Sequence, residues 1–338
     1  MKRLRPAGAI VALTLAGCAA TPPPVTAPSQ ALIPIAQLPG WTAEDHVGAL
    51  AVVRQVCKEQ PAPPAWCAAA LTTDRLDEPS AKAFLERRFR AAPILGEGLL
   101  TAYFAPIYDA RHTRDATFSA PVRPRPADPA SAPDRAAIEA DPAPDALAWM
   151  RPEDLFFLQI QGSGTLTFPD RRARAVFAGS NGRPFVAIAG PMAAQGLIPA
   201  RATAADVRGW LAAHRGPDAD AAMRLDPRYV FFKLAPEDRT EPRGSSGAEL
   251  IAGRSVAVDP AMHPAFELLW IDADAPTLPG ARADYRRLAA AMDSGAAIKG
   301  EARADLYLGR GAAAGAEAGA VRHRLRLYRI VPIPDAAP

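Results

Sequence analysis

At 338 residues the chain is long enough for two domains and a sizeable core. Its hydrophobic content of 49% is ordinary for a globular protein, and 36 prolines favour short elements and ordered loops over long helices. The formal charge of +3 comes from Lys2, Arg3 and Arg5, and the sequence after residue 17 holds 36 basic residues (39 less those three) against 36 acidic ones, which excludes a basic nucleic-acid-binding face.

The chain opens with a basic start and an apolar run over residues 7–15, followed by Leu15-Ala16-Gly17-Cys18. This is the layout of a secretory signal peptide over residues 1–17, and its ending resembles a bacterial lipobox. The resemblance implies cleavage before Cys18, lipidation of that cysteine and, because residue 19 is Ala rather than Asp, sorting to the inner face of an outer membrane. No later stretch approaches the roughly 20 apolar residues of a membrane span. Residues 18–40, rich in proline and alanine in their first half, read as lipidated cysteine and tether. Export places Cys57 and Cys67 in an oxidising compartment, where a disulfide is expected and two buried thiols are the alternative.

Val47, Leu50, Val53 and Val56 mark an amphipathic helix over residues 41–58. A short helix follows at 66–71, and Ser80 is placed to cap a helix running through residue 90, with Phe84, Leu85 and Phe89 inward. From residue 99 the pattern changes to strand-sized runs at 99–104, 155–161, 166–168, 173–178 and 185–188. Residues 121–149 read as a proline- and aspartate-rich loop. Thr203 with Asp206 opens a helix through residue 214. Further strands are expected at 229–234, 255–258, 266–271, 285–292, 305–308 and 325–331. Many short strands punctuated by glycine and proline indicate barrels rather than a parallel α/β sheet.

Four stretches can carry chemistry. Thr101-Ala102-Tyr103-Phe104 joins a hydroxyl to aromatic rings near a strand end. Gln159-Ile160-Gln161-Gly162-Ser163-Gly164 ends a run with amides and a Gly-Ser-Gly turn, which by itself also suits a plain hairpin. Gly253 to Pro260 is the third. The fourth holds Asp293 and Asp305, twelve positions apart among Gly295, Gly300, Gly309 and Gly311. Asp305, between Ala304 and Leu306, is either a turn cap or a semi-buried acid that stays protonated at higher pH. Amides, hydroxyls and ring faces together suit a neutral polyhydroxy ligand. The five histidines show no metal spacing, the Gly-x-Ser-x-Gly elbow is missing, and residues 309–319 lack the Gly-Lys-Ser/Thr of a phosphate loop.

Taken in order, residues 100–106, 156–164, 229–232, 253–260 and 293–309, with Gly311, Ala318 and Gly319 after them, resemble the membrane-bound lytic transglycosylases of the MltA type. One departure is visible: the family's Gly-Tyr-Tyr stands here as Ala102-Tyr103-Phe104, which removes a hydroxyl at Phe104. The resemblance implies a mainly β fold with a few N-terminal helices. A double-psi β-barrel catalytic domain would comprise residues 41–105 and 238–333, and a smaller β-barrel would be inserted at 106–237. It implies Asp305 as the single catalytic acid and Asp293 as a supporting acid. Thr101, Tyr103, Gln161, Gly162, Ser163, Gly295 and Lys299 would bind sugar. The implied substrate is the glycan strand of peptidoglycan, with no cofactor, an outer-membrane lipid anchor and other cell-wall enzymes as partners. A hydrolase using both aspartates, and a wall-binding protein without activity, are the rival readings.

Overall fold

The computed structural model describes residues 31–73, 77–238, 240–278 and 281–333. The signal peptide, Cys18 and the first part of the expected tether lie outside the described residues. Residues 33–40, assigned to the tether from sequence, are folded. Strand β1 (Ile33–Pro34) pairs with a later strand, and Ile35 and Leu38 are buried because their apolar side chains sit under the helices that follow.

Three helices come next, α1 (His46–Glu59), α2 (Cys67–Thr72) and α3 (Glu78–Arg88). Asp45 caps α1 by accepting from the Gly48 amide at 2.8 Å. Leu50, Val53 and Val56 face inward as the spacing requires, joined by Ala49 and Val52, while Val47 is left exposed. The cap of α3 is Asp77, which accepts from the Ser80 amide, so Ser80 lies inside the helix rather than before it. Pro79 in the first turn explains the earlier start, since its missing N–H costs nothing there. Cys57 and Cys67 are joined by a disulfide with their Cα atoms 5.4 Å apart, which pins α1 to α2.

The chain then forms β2 (Phe89–Pro93), β3 (Gly98–Ala105), β4 (Ile107–Asp109) and β5 (Ala120–Val122), followed by α4 (Arg135–Ala140) and β6 (Ala148–Met150). The stretch 121–149 is therefore not a plain loop. Next come α5 (Pro152–Gln161), β7 (Gly164–Thr167), β8 (Arg172–Ser180), α6 (Ala189–Ala194), α7 (Ala204–Ala213), α8 (Pro217–Met223) and β9 (Val230–Pro236). Residues 185–188 do not form a strand. The Thr203–Asp206 capping box is present with both of its hydrogen bonds. The last elements are β10 (Ser255–Val258), β11 (Leu268–Pro276), β12 (Tyr285–Ser294), β13 (Arg303–Arg310), α9 (Gly311–Ala318) and β14 (Arg322–Pro332).

Residues 155–161, expected as a strand, belong to helix α5. Pro152 at its start, Glu153 and Asp154 in its first turn and Gly162 in the left-handed conformation at its end are helix boundary signals that outweigh the apolar run between them. The glycine-rich stretch after residue 310 is likewise helical, as α9.

Six strands close a barrel in the order β3-β14-β11-β12-β10-β13, with β13 returning to β3. The pairs β10–β12 and β13–β3 are parallel and the others antiparallel, a mixed pairing that the double-psi arrangement calls for. Alternation along β11 sends Leu269, Ile271 and Ala273 to the barrel interior and Leu268 and Trp270 outward against α1–α3. Glu44 ties the helical layer to the barrel by accepting from the Leu288 amide at 2.7 Å and from Arg254 at 2.8 Å. The strands between residues 107 and 236 form a sheet in the order β4-β7-β8-β9 and a ribbon β5–β6. Bridges from Arg111 to Trp149 and from Pro124 to Phe232 join ribbon to sheet at both ends, closing a second, smaller barrel around Val122, Met150, Leu166 and Phe232. Helices α6–α8 make a separate apolar cluster with Phe156 of α5.

Candidate active site

The outer face of β3 and β13 is built by register. Asp305 stands opposite Thr101, and Tyr307 opposite Tyr103, while the intervening Leu100, Ala304 and Leu306 fill the barrel interior. On the other side of β13, Ala257 of β10 is in register with Asp305, and on its far edge the same Ala257 is in register with Asp293 of β12. Strict alternation would send Asp293 inward, because Leu288, Ala290 and Met292 already face outward. A bulge between Val256 and Ala257 changes the register there, so that Met292 and Asp293 both turn out. The two acids therefore share one face of the sheet.

Asp305 is partly buried. The Thr101 hydroxyl donates to its Oδ1, and Arg303 in turn donates to the Thr101 oxygen at 2.9 Å. Burial holds the Asp305 pKa above the ordinary aspartate range, the Asp293 charge adds to it, and the Thr101 hydroxyl and the Arg303 guanidinium oppose it. Asp293 accepts from the Tyr103 hydroxyl at 2.9 Å and from the amides of Ser245 and Ser294 at 2.9 and 2.8 Å. Three donors suit an ionised, fixed carboxylate. Burial, and after it the Asp293 carboxylate, raises the Tyr103 pKa well above that of a free phenol, so Tyr103 acts as a donor only. Its ring packs against Tyr307 at 5.3 Å, and the Tyr307 hydroxyl donates to Glu241.

These groups face a cleft of about 920 Å³. Thr101, Tyr103, Asp293, Gly295, Lys299 and Asp305 line it from the barrel, and Gln161, Gly162 and Ser163 line it from the smaller domain, so every cleft residue expected from the sequence meets the others there. Gln161, the last residue of α5, uses Oε1 to accept from the Phe104 amide at 3.0 Å, which fastens α5 to β3. Gly162 has φ 82°, and a side chain at Gly164 would collide with the Pro106 carbonyl at 2.8 Å; the Gly-Ser-Gly turn thus holds the Ser163 region close against the barrel. Lys299 is exposed and pairs with Asp259 at 3.5 Å on the cleft rim. The Phe104 ring packs over Gly315 of α9, where a Cβ would come within 2.7 Å of it. Arg303, Ser245, Glu241 and Arg228 are cleft or supporting residues that pattern reading missed. Arg303, two residues before Asp305 on the same strand face, was the one with a visible signal.

Residues 99–233 match the MltA specific insert domain, and residues 254–331 match the 3D domain. The chain is 31% identical over 251 residues to membrane-bound lytic murein transglycosylase A of Escherichia coli (strain K12), covering 71% of this chain and 67% of that protein. The crystal structure of the membrane-bound lytic murein transglycosylase from Agrobacterium tumefaciens aligns with a TM-score of 0.77 at 28% identity, over 89% of this chain and 97% of that one. Escherichia coli MltA with bound chitohexaose aligns with a TM-score of 0.65 at 26% identity, over 86% and 85%. Both domain matches fall on the two barrels whose facing walls carry Asp305 and Gln161, and the chain belongs to the MltA family.

Proposed function

We propose that this protein is a lytic transglycosylase that cleaves the β-1,4 bond between N-acetylmuramic acid and N-acetylglucosamine in peptidoglycan and leaves 1,6-anhydro ends. The observation that carries this reading is Asp305, a carboxyl kept protonated to higher pH by burial, facing a two-walled cleft of about 920 Å³. Protonated Asp305 donates to the leaving glycosidic oxygen as an oxocarbenium-like centre develops. The carboxylate so formed then takes the proton of the C6 hydroxyl of the same muramic acid, which closes on C1. Because the nucleophile is intramolecular, no second catalytic carboxylate and no activated water are required.

Thr101 stabilises the carboxylate produced in the first step and orients it for the second. Asp293, held by three donors, serves as a positioning acid that fixes Tyr103 and the Ser245 and Ser294 backbone beside the cleft. Gln161, Gly162, Ser163, Gly295 and Lys299 bind sugar along the two walls. The expected lipid on Cys18 would hold the protein at the periplasmic face of the outer membrane; among the described residues no helix is long and apolar enough to cross a membrane.

Digestion of purified peptidoglycan by the chain lacking residues 1–18, beside Asp305→Asn, tests the reading by product mass. Anhydro-muropeptides from the first protein and none from the second are expected. Products one water heavier would instead make it a hydrolase.

A further inference from the structure

The smaller-domain wall of the cleft carries a cation that the sugar-cleaving reaction does not use. Arg228, just before β9, lines the cleft and is only partly exposed, yet its guanidinium makes no hydrogen bond, ion pair or ring contact among the described residues. Its neighbours are satisfied elsewhere. Arg135 donates to Gln159 at 2.6 Å and to the carbonyls of Asp226 and Arg228. Asp226 lies 3.6 Å from Arg135 and accepts the amides of Val186 and Arg228 at 3.0 and 3.2 Å. Arg174 is held by Asp238 at 2.6 Å, and Arg310 by Glu237. Burial disfavours the charged form of Arg228, and the Asp226 charge restores only part of that cost. A half-buried guanidinium without a partner is an incomplete site whose fork matches a carboxylate. On the same wall Phe177 is 47% exposed, an aromatic surface left open towards the cleft.

We propose that Arg228 is a specificity residue that binds a carboxylate of the peptide stem carried by the glycan, so that the cleft favours peptide-bearing strands over uncharged N-acetylglucosamine chains. This rests on the proposed peptidoglycan substrate. N-acetylglucosamine units offer no anion and a peptide-free muramic acid offers only its own lactyl carboxylate, whereas peptide stems present free carboxylates further from the sugar ring. Arg228 and Asp305 line the same cleft, Arg228 from the smaller domain and Asp305 from the barrel.

Binding separates this proposal from the catalytic one. A soluble peptidoglycan fragment with stem peptides, the same glycan freed of its peptides so that each muramic acid keeps a lactyl carboxylate, and chitohexaose, which has no carboxylate, would each be titrated calorimetrically into the wild-type chain lacking residues 1–18 and into Arg228→Gln and Arg228→Lys. For the ligands that contain muramic acid, the wild type and both Arg228 variants would all carry Asp305→Asn to prevent turnover. Arg228→Gln is expected to weaken fragment binding about ten-fold, to lower its sensitivity to salt and to leave chitohexaose binding unchanged. Arg228→Lys keeps the salt sensitivity and recovers part of the affinity, since charge remains and the fork is lost. Equal loss for all three ligands, no loss for any, or as large a loss for the peptide-free glycan as for the fragment would overturn the proposal. If binding behaves as expected but the wild type releases no anhydro products, the catalytic reading fails and the carboxylate site stands.

Discussion

Asp293 and Asp305 are in register with one and the same residue, Ala257, from opposite sides of β10. The bulge beside Ala257 is what brings the second acid onto the face of the first, and it gives them unequal surroundings. Asp293 is held by a phenol and two amides, whereas Asp305 has one hydroxyl and the raised pKa. Unequal roles follow. Asp305→Asn is expected to lower kcat by about 10³-fold or more, as loss of a general acid does. Asp293→Asn, which takes the charge from all three of its hydrogen bonds, and Tyr103→Phe, which removes one of them, are expected to cost about ten-fold in kcat with KM little changed. Steady-state release of anhydro-muropeptides measures all three. Equal losses at the two aspartates would favour a two-carboxylate mechanism.

The pH profile has a definite sign. Asp305 must carry its proton for the first step, so kcat/KM falls as pH rises through its elevated pKa. The Thr101 hydroxyl favours the charged carboxylate and so keeps that pKa from rising further. Thr101→Val removes this support and leaves burial and the Asp293 charge unopposed except by Arg303. The descending limb should therefore move to higher pH, alongside a lower maximum rate because the carboxylate that acts as base is less well oriented. A limb that moves to lower pH, or does not move, would mean that another group controls it.

The same shift acts on stability. A carboxyl whose pKa is higher in the folded state than in the unfolded chain is protonated more readily when folded. Stability is therefore greatest below the unfolded value near 4 and falls as pH rises through the folded one. Asp305→Asn removes this term while keeping an oxygen that can accept from Thr101. At pH 7 the variant should melt about 1–3 °C above the wild type, and at pH 4 the two should coincide. A scanning calorimeter reads both. A variant that melts lower at pH 7 would show that the charge on Asp305 is net stabilising.

The barrel strands were legible as strand-sized apolar runs bounded by glycine, proline and aspartate: residues 255–258, 285–292 and 305–308 fall on β10, β12 and β13. Helix α5 was not, because Leu155, Phe156 and Leu158 are buried in it alongside Asp154 and Gln159, and an apolar run covered on several sides has no period to read. The error mattered little for the site, since Gln161 to Ser163 follow the helix at its end whatever precedes them. Asp305 could be found from sequence because a carboxyl in an apolar strand is anomalous. Arg228 could not, since a single arginine before a strand reads as surface until its missing partner is seen. The bulge that turns Asp293 outward also left no mark in the sequence, being a property of how two strands are paired.

The Cys57–Cys67 disulfide joins α1 and α2 on the outer layer against the barrel, and neither cysteine lines the cleft. It closes a short loop, with a sequence separation of 10, so its loss should cost about 3 kcal/mol through the entropy returned to the unfolded chain. Cys57 and Cys67 are nearly fully buried, so replacing both with alanine adds a small packing loss rather than exposing a polar group. The double variant, and the wild type under reductant, should unfold at lower denaturant, with the midpoint shifted and activity at 25 °C retained. The helices carry Asp45 and Glu44 at their start, and these meet the barrel through Arg254 and the Leu288 amide rather than through the disulfide. Loss of activity in step with loss of the bond, at a temperature where the chain is still folded, would mean that the helical layer positions the cleft and does not only cover the barrel.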